Sequence, residues 1–181
     1  MDEEPTYLFK IFLIGKKGVG KSTFIKSPYF TGIEDDCELT IGVYFRHYDY
    51  SFDSSNKNEF ARFSIYIHNP ESRFKEMFSY YVLGSNAIFI MFDISDLNSL
   101  KEIDSWMGVI RKQCHDIPIM LLGNKADLTE HLELSKVLAD SIVKKHRLMG
   151  YYEMSALDSR NIEPIFAEIA ETLLEKLGYK R

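Results

Sequence analysis

An eight-residue segment near the N-terminus carries the clearest chemistry in the chain. Gly15-Lys-Lys-Gly-Val-Gly-Lys-Ser22 has the pattern G-x-x-x-x-G-K-[ST] between an apolar run and a helix-forming segment. Its glycines allow amide N–H groups and a helix N-terminus to converge on a phosphate, where Lys21 adds a positive charge and Ser22 a Mg²⁺ ligand. A glycine-rich turn without a ligand is the alternative. The predicted phosphate-binding residues are Gly15, Lys17, Gly18, Val19, Gly20, Lys21, Ser22 and Thr23.

A second segment, Asn124-Lys-Ala-Asp127, predicts which base accompanies the phosphates. A carboxylate such as Asp127 accepts hydrogen bonds from the N1–H and N2 amino groups of guanine, whereas adenine presents a lone pair at N1. That buried mismatch costs about 1–3 kcal/mol. Asn124 can contact the base or stiffen the loop, and the Lys125 stem can cover the base. Backbone N–H groups after the last predicted strand can reach the guanine oxygen. The predicted guanine-binding residues are Asn124, Lys125, Asp127, Ser155, Ala156 and Leu157.

Each of these segments follows an apolar run, and strand and helix patterns alternate along the chain. Runs rich in apolar, β-branched and aromatic residues predict strands over 7–14, 41–53, 59–68, 86–92, 117–122 and 150–154. The second and third of them enclose a polar turn and predict an antiparallel hairpin. We therefore predict an α/β domain over residues 1–181, with a six-stranded, mainly parallel sheet, one antiparallel strand and helices on both faces in three layers. In such sheets ligands bind beyond the carboxyl ends of the strands.

Helices are predicted from the spacing of apolar residues. One begins at Lys21 and ends before Pro28, and another covers 74–82. The next three are marked by apolar positions on one side, and Asn161 is predicted to cap the last of them. These positions are Leu100, Ile103, Met107 and Ile110; then Leu134, Val137, Leu138 and Ile142; then Ile162, Ile165, Phe166, Ile169, Leu173 and Leu177.

Composition excludes several classes of protein. Hydrophobic residues are 45% and charged residues 27% of the 181, which is ordinary globular usage, and the net charge of −5 argues against nucleic-acid binding held by charge. The apolar run 87–92 is too short to span a bilayer, and the acidic N-terminus is unlike a signal peptide. The two cysteines show no metal-ligand spacing. We expect a soluble, cytoplasmic protein.

The motifs together resemble the small GTPases of the Ras superfamily, and the Rab branch most closely, over roughly Tyr7 to Leu177. Thr40-Ile-Gly-Val43 resembles the Rab switch I sequence, and Met91–Asp96 resembles the family's strand and following turn. The resemblance implies a molecular switch that cycles between GDP and GTP, with Mg²⁺ held by Ser22 and, in the GTP form, by Thr40. It also implies effector or regulator proteins that bind through the switches and the hairpin.

One family motif is altered at every chemical position. The family carries Asp-x-x-Gly-Gln after the second hairpin strand, where this chain has Ile67-His-Asn-Pro-Glu71. Ile67 removes a carboxylate that orients the Mg²⁺ hydration shell, and Pro70 has no N–H for the γ-phosphate. A carboxylate at Glu71, in place of the glutamine that positions water, repels that phosphate. Lys17 adds bulk where the family has small residues. We therefore predict very slow GTP hydrolysis, with Lys21 and Glu71 as the catalytic candidates.

Three alternatives to that prediction stay open. The loop has drifted in a normally working GTPase, with His68 or Arg73 as a substitute; or the chain is a pseudo-GTPase binding module with frozen switches; or it is a P-loop protein that uses ATP. Two further departures concern the base and the membrane. Ile33 stands where the family places an aromatic over guanine, with Tyr29 and Phe30 nearby. No cysteine follows Cys114, so we expect no lipid anchor within these residues: either a tail beyond them carries it, or the protein does not use this route to membranes.

Overall fold

The computed structural model describes residues 4–31, 43–52, 59–68, 77–128 and 132–179. Six strands form one sheet in the spatial order β2-β3-β1-β4-β5-β6. All neighbouring pairs are parallel except β2 and β3, which are antiparallel, so the predicted sheet is confirmed. The strands are β1 (Tyr7–Ile14), β2 (Val43–Ser51), β3 (Phe60–His68), β4 (Ala87–Asp93), β5 (Ile119–Asn124) and β6 (Gly150–Glu153).

Helices cover both faces of this sheet, as predicted. They are α1 (Lys21–Ile25), α2 (Phe78–Tyr81), α3 (Ile103–Cys114), α4 (Leu132–His146) and α5 (Ile162–Lys176), with short 3-10 turns at Leu97–Leu100 and Ala126–Leu128. One core cluster joins the sheet to α1 and α5, and a second joins it to α2, α3 and α4. Within the described part of the chain, no helix is long and apolar enough to cross a membrane.

The core beneath α1 and α5 is built around the ring of Phe166. Five other rings lie 3.9–6.4 Å from it, centroid to centroid, and they come from α1, the segment after it, and three strands. Burial of these aromatic rings is the main force that holds α5 to the sheet. The five partners of Phe166 are Phe24, Phe30, Tyr48, Phe63 and Phe89.

The predicted buried stripe of α5 is confirmed except at its end. Ile162, Ile165, Phe166, Ile169 and Leu173 are buried, but Leu177 lies beyond the helix and is exposed. Asn161 occupies the predicted cap position, yet its side chain makes no cap hydrogen bond. Instead its amide donates to the carbonyl oxygen of Glu153 at 2.8 Å, which ties the start of α5 to β6.

Helix α4 is present, but three of the residues that predicted it face outward. Leu134, Val137 and Leu138 are 56%, 66% and 36% exposed, whereas Ser135 and Ala139 are fully buried. Small residues on the inner face allow the helix to approach the sheet closely. The spacing of the larger apolar side chains therefore predicted the helix but not the face that it buries.

Candidate nucleotide-binding site

The predicted phosphate loop lies between β1 and α1, at the carboxyl edge of the sheet. Gly18 and Gly20 have φ values of +89° and +102°, in the left-handed region where a Cβ is disfavoured. A Cβ at Gly20 would also collide with the side-chain amide of Asn124, whereas a Cβ at Gly18 would meet nothing within 4 Å. The loop therefore needs glycine at position 20 for packing as well as for backbone conformation.

Lys21 points back into this loop from the first residue of α1. Its residue is only 6% exposed, and its Nζ donates to the carbonyl oxygens of Gly15 at 2.6 Å and Lys16 at 3.0 Å. Burial lowers the pKa of Lys21 to about 8, against the opposing effect of the negative charge of Glu102. A cation so placed is suited to a phosphate oxygen, which can replace the two carbonyl partners.

Asn124 joins the phosphate loop to the last of the three loops rather than pointing outward. It is 1% exposed, and its amide donates to the carbonyl oxygen of Val19 at 2.8 Å. Its Oδ1 accepts the backbone N–H of Ala156, also at 2.8 Å. Of the two roles left open by the sequence, these bonds match the stiffening role. They also occupy the Ala156 N–H, one of the backbone donors in the segment 155–157 that is predicted to reach the guanine oxygen.

The predicted guanine acceptor, Asp127, lies at the surface beside Ser155. The buried Ser155 hydroxyl donates to Asp127 Oδ1 at 2.6 Å and so orients the carboxylate. An ionised carboxylate has about four acceptor positions, so capacity remains for the two guanine donors. The neighbouring Leu157 is 75% exposed. The loops after β1, β5 and β6 thus meet at one edge of the sheet.

Lys125 has a partner that the sequence reasoning missed. Its Nζ lies 2.5 Å from Oδ2 of Asp93, the last residue of β4. Burial alone would raise the pKa of the Asp93 carboxyl, but hydrogen bonds from Lys125 and Ser95 outweigh it and hold that pKa below its ordinary value. This contact depends on the register of parallel β4 and β5, which pairs Asp93 with Asn124 and which no sequence motif reveals.

The remaining predicted residues surround this group or fall outside the described chain. Lys17, Ser22 and Thr23 are exposed on the loop and the first turn of α1. Thr40 and Glu71 lie outside the described residues. The described residues contain no group of three His, Cys, Asp or Glu side chains that could hold a metal. A Mg²⁺ ion held by Ser22 would therefore rely on phosphate oxygens and water for much of its coordination, as Mg²⁺ commonly does.

Ile67, which the resemblance aligns with the family's switch aspartate, belongs to the apolar core. Ile67 is fully buried near the carboxyl end of β3, in the same apolar cluster as Val19 and Phe24. Phe30 is equally committed to the core, since its ring packs on Phe24 and Phe166. Phe30 is therefore not placed to cover a guanine, whereas Tyr29 is partly exposed.

A strand–loop–helix phosphate loop beside the loops that follow β5 and β6 is typical of a P-loop nucleotide-binding fold. A sequence model of the Ras family matches residues 10–175, and the chain belongs to that family. Ras-related protein Rab-11B of Dictyostelium discoideum is 32% identical over 164 residues, 90% of this chain and 72% of the relative. GTP-binding protein YPT1 of Saccharomyces cerevisiae is 31% identical over 179 residues, 98% of this chain and 84% of the relative. Ras-related protein Rab-13 of Bos taurus is 29% identical over 176 residues, which are 97% of this chain and 84% of the relative. The chain is a Rab-like small GTPase by family.

Proposed function

We propose that this Rab-like protein binds GTP and GDP with Mg²⁺ but hydrolyses GTP far more slowly than ordinary members of its family. The observation that carries the proposal is Ile67, a fully buried core residue in the place of the family's switch aspartate. The phosphate loop, Lys21, Asn124 and Asp127 support nucleotide binding, because their geometry suits phosphates and guanine.

The proposed impairment has three parts, at the end of β3 and in the residues that follow it in the sequence. Without a carboxylate at position 67, the water shell of Mg²⁺ loses an outer hydrogen-bond acceptor. Pro70 cannot donate a backbone N–H to the γ-phosphate, and Glu71 adds a negative charge near it. Lys21 and Mg²⁺ would still stabilise the charge of an in-line attack by water, which leaves a slow residual reaction.

Partner proteins are proposed to bind the uncovered surface beside the hairpin. Phe45 is 43% exposed, and its ring stacks on Tyr66 at 5.5 Å between centroids. Met77 and Tyr80 add exposed apolar area from the neighbourhood of α2. An apolar surface next to the predicted switches suits an effector or regulator that responds to the bound nucleotide.

Single-turnover hydrolysis tests the proposal. Protein loaded with radiolabelled GTP and Mg²⁺ should release phosphate more slowly than about 10⁻⁴ s⁻¹, the rate of ordinary Ras-type proteins. The combined change Ile67→Asp, Pro70→Gly and Glu71→Gln should raise the rate, while Lys112→Gln, an exposed change on α3, should not. A hydrolysis rate of about 10⁻⁴ s⁻¹ or more in the unaltered protein would refute the proposal that it hydrolyses GTP slowly.

The nucleotide that copurifies with the protein distinguishes this proposal from a second candidate function, a binding module whose switches do not change state. The burial of Ile67 favours that second function as well. Recovered GDP indicates turnover or a preference for GDP, and recovered GTP indicates a binder locked in one state. Recovery of no nucleotide, with no binding of added GDP, would instead indicate a scaffold. Competition of ATP against labelled GDP tests the base. We expect ATP to compete poorly, because adenine presents a lone pair at N1 where Asp127 would accept the N1–H of guanine.

A further inference from the structure

We infer that Asp93 is a positioning residue for the nucleotide: its carboxylate anchors the end of Lys125 so that the lysine stem lies over the guanine. This inference rests on the proposed nucleotide binding. It assigns a role to a residue at the end of β4 that lies outside the three nucleotide-binding segments.

The Asp93 carboxylate is held on both of its oxygens. Oδ2 lies 2.5 Å from Lys125 Nζ, and Oδ1 accepts the backbone N–H of Ser95 at 2.9 Å and its hydroxyl at 2.6 Å. The Asp93 side chain is 10% exposed and that of Lys125 30%. An ion pair removed from water to this extent depends on full partnering, because an unpaired charge there is costly.

The turn that carries Asp93 is itself fixed by hydrogen bonds. The Asp93 N–H donates to the buried Ser99 hydroxyl at 3.0 Å, and that hydroxyl donates to the Asp96 carbonyl oxygen at 2.6 Å. The Ile94 N–H donates to the Asn124 carbonyl oxygen at 3.0 Å, which places the turn against the start of the guanine-facing loop. The carboxylate is thus presented to Lys125 from a rigid support.

Two features of Lys125 bear on this contact: its backbone conformation and the direction of its side chain. Its φ is +68°, which is unfavourable for a residue with a Cβ, so the surrounding contacts must maintain it. Lys125 stands between Asn124 and Asp127 in the chain, and with Nζ anchored its four-carbon stem has lost much of its rotamer freedom before any ligand arrives. A stem ordered in advance loses less entropy when it covers a base, so the nucleotide dissociates more slowly.

A purely structural ion pair is the competing explanation, and a double-mutant cycle separates the two. The measured quantity is the dissociation rate of a fluorescent GDP analogue, with Mg²⁺ present. Asp93→Asn should raise this rate about 10- to 100-fold, as expected for the loss of a charged hydrogen bond. Lys125→Met should raise it comparably, and adding Asp93→Asn to Lys125→Met should raise it little further.

The matched control is Asp104→Asn, which removes another carboxylate paired with a lysine, Lys145, at 2.6 Å. It should leave the dissociation rate within about twofold, since surface pairs contribute little. If Asp93→Asn does not fold, Ser95→Ala removes one donor to the same carboxylate, and its smaller effect should also vanish on the Lys125→Met background.

Two results would overturn the inference while the proposed function stands. One is an unchanged dissociation rate in Asp93→Asn, or in Ser95→Ala if it replaces that variant. The other is an increase of the same size with and without Lys125→Met. Failure of the unaltered protein to bind the GDP analogue would overturn the proposed function, and this inference with it.

Discussion

Replacing Asn124 by alanine tests whether this residue joins the loops of the site or contacts the base. The change leaves the Val19 carbonyl and the Ala156 N–H without their partners, at positions that are both buried. Each stranded group costs about 1–3 kcal/mol, so the free energy of unfolding should fall by about 2–6 kcal/mol. That is a large part of the roughly 5–15 kcal/mol typical of a domain.

The assay is thermal and denaturant unfolding of the nucleotide-free protein, so that no ligand contributes to stability. For a domain of this size, 1 kcal/mol shifts Tm by about 2–4 °C, so the drop should be at least about 4 °C. Asn98→Ala serves as a control, because it removes an exposed amide that donates to Asp96 Oδ1 at 3.0 Å. The control should cost less than about 1.5 kcal/mol.

The refuting result is specific. If Asn124→Ala leaves the free energy of unfolding within about 1 kcal/mol of the unaltered protein but abolishes GDP binding, the side chain acts on the base and not as a tie between loops. If the free energy of unfolding and the affinity for GDP fall together, Asn124 joins the loops, since the Val19 and Ala156 segments then separate before the nucleotide can bind.

Three further predictions concern the same site. Gly20→Ala should weaken GDP binding more than Gly18→Ala. Both changes share the cost of a positive φ, but only the Cβ at position 20 collides with Asn124. Equal dissociation constants for the two variants would contradict this prediction. Asp127→Asn should weaken GDP binding about 10- to 100-fold with little change in Tm, and an unchanged dissociation constant would exclude Asp127 as the guanine acceptor. Burial lowers the pKa of Lys21 to about 8, and phosphate oxygens should raise that pKa, so GDP binding should take up a proton near pH 8.5 and weaken above pH 8. Calorimetry in two buffers of different ionisation enthalpy detects that proton, and its persistence in Lys21→Met would rule out Lys21 as the source.

The sequence predicted the sheet well because strand runs and the phosphate motif are local signals. β1 was predicted at its observed bounds, and β5 lies two residues later than predicted. The errors arise where tertiary packing decides. On α4 the fully buried residues are Ser135 and Ala139, which are small and add little to a pattern of large apolar side chains.

The site was predictable in its residue types but not in its internal connections. The motifs located Asn124, Lys125 and Asp127, yet they do not reveal that Asn124 faces inward to Val19. The pairing of Lys125 with Asp93 joins residues 32 positions apart and depends on the register of β4 and β5. Such links require the assembled sheet and have no counterpart in a short motif.

The position of Phe166 has a consequence for the protein during its synthesis. Every nucleotide-binding segment is translated before this residue, but Phe24, directly behind the phosphate loop, packs against it. A nascent chain that has not yet released α5 from the ribosome would expose the rings of Phe24, Phe63 and Phe89 together. Such a chain is a target for chaperones, and guanine nucleotide should become able to assist folding only once α5 has left the ribosome.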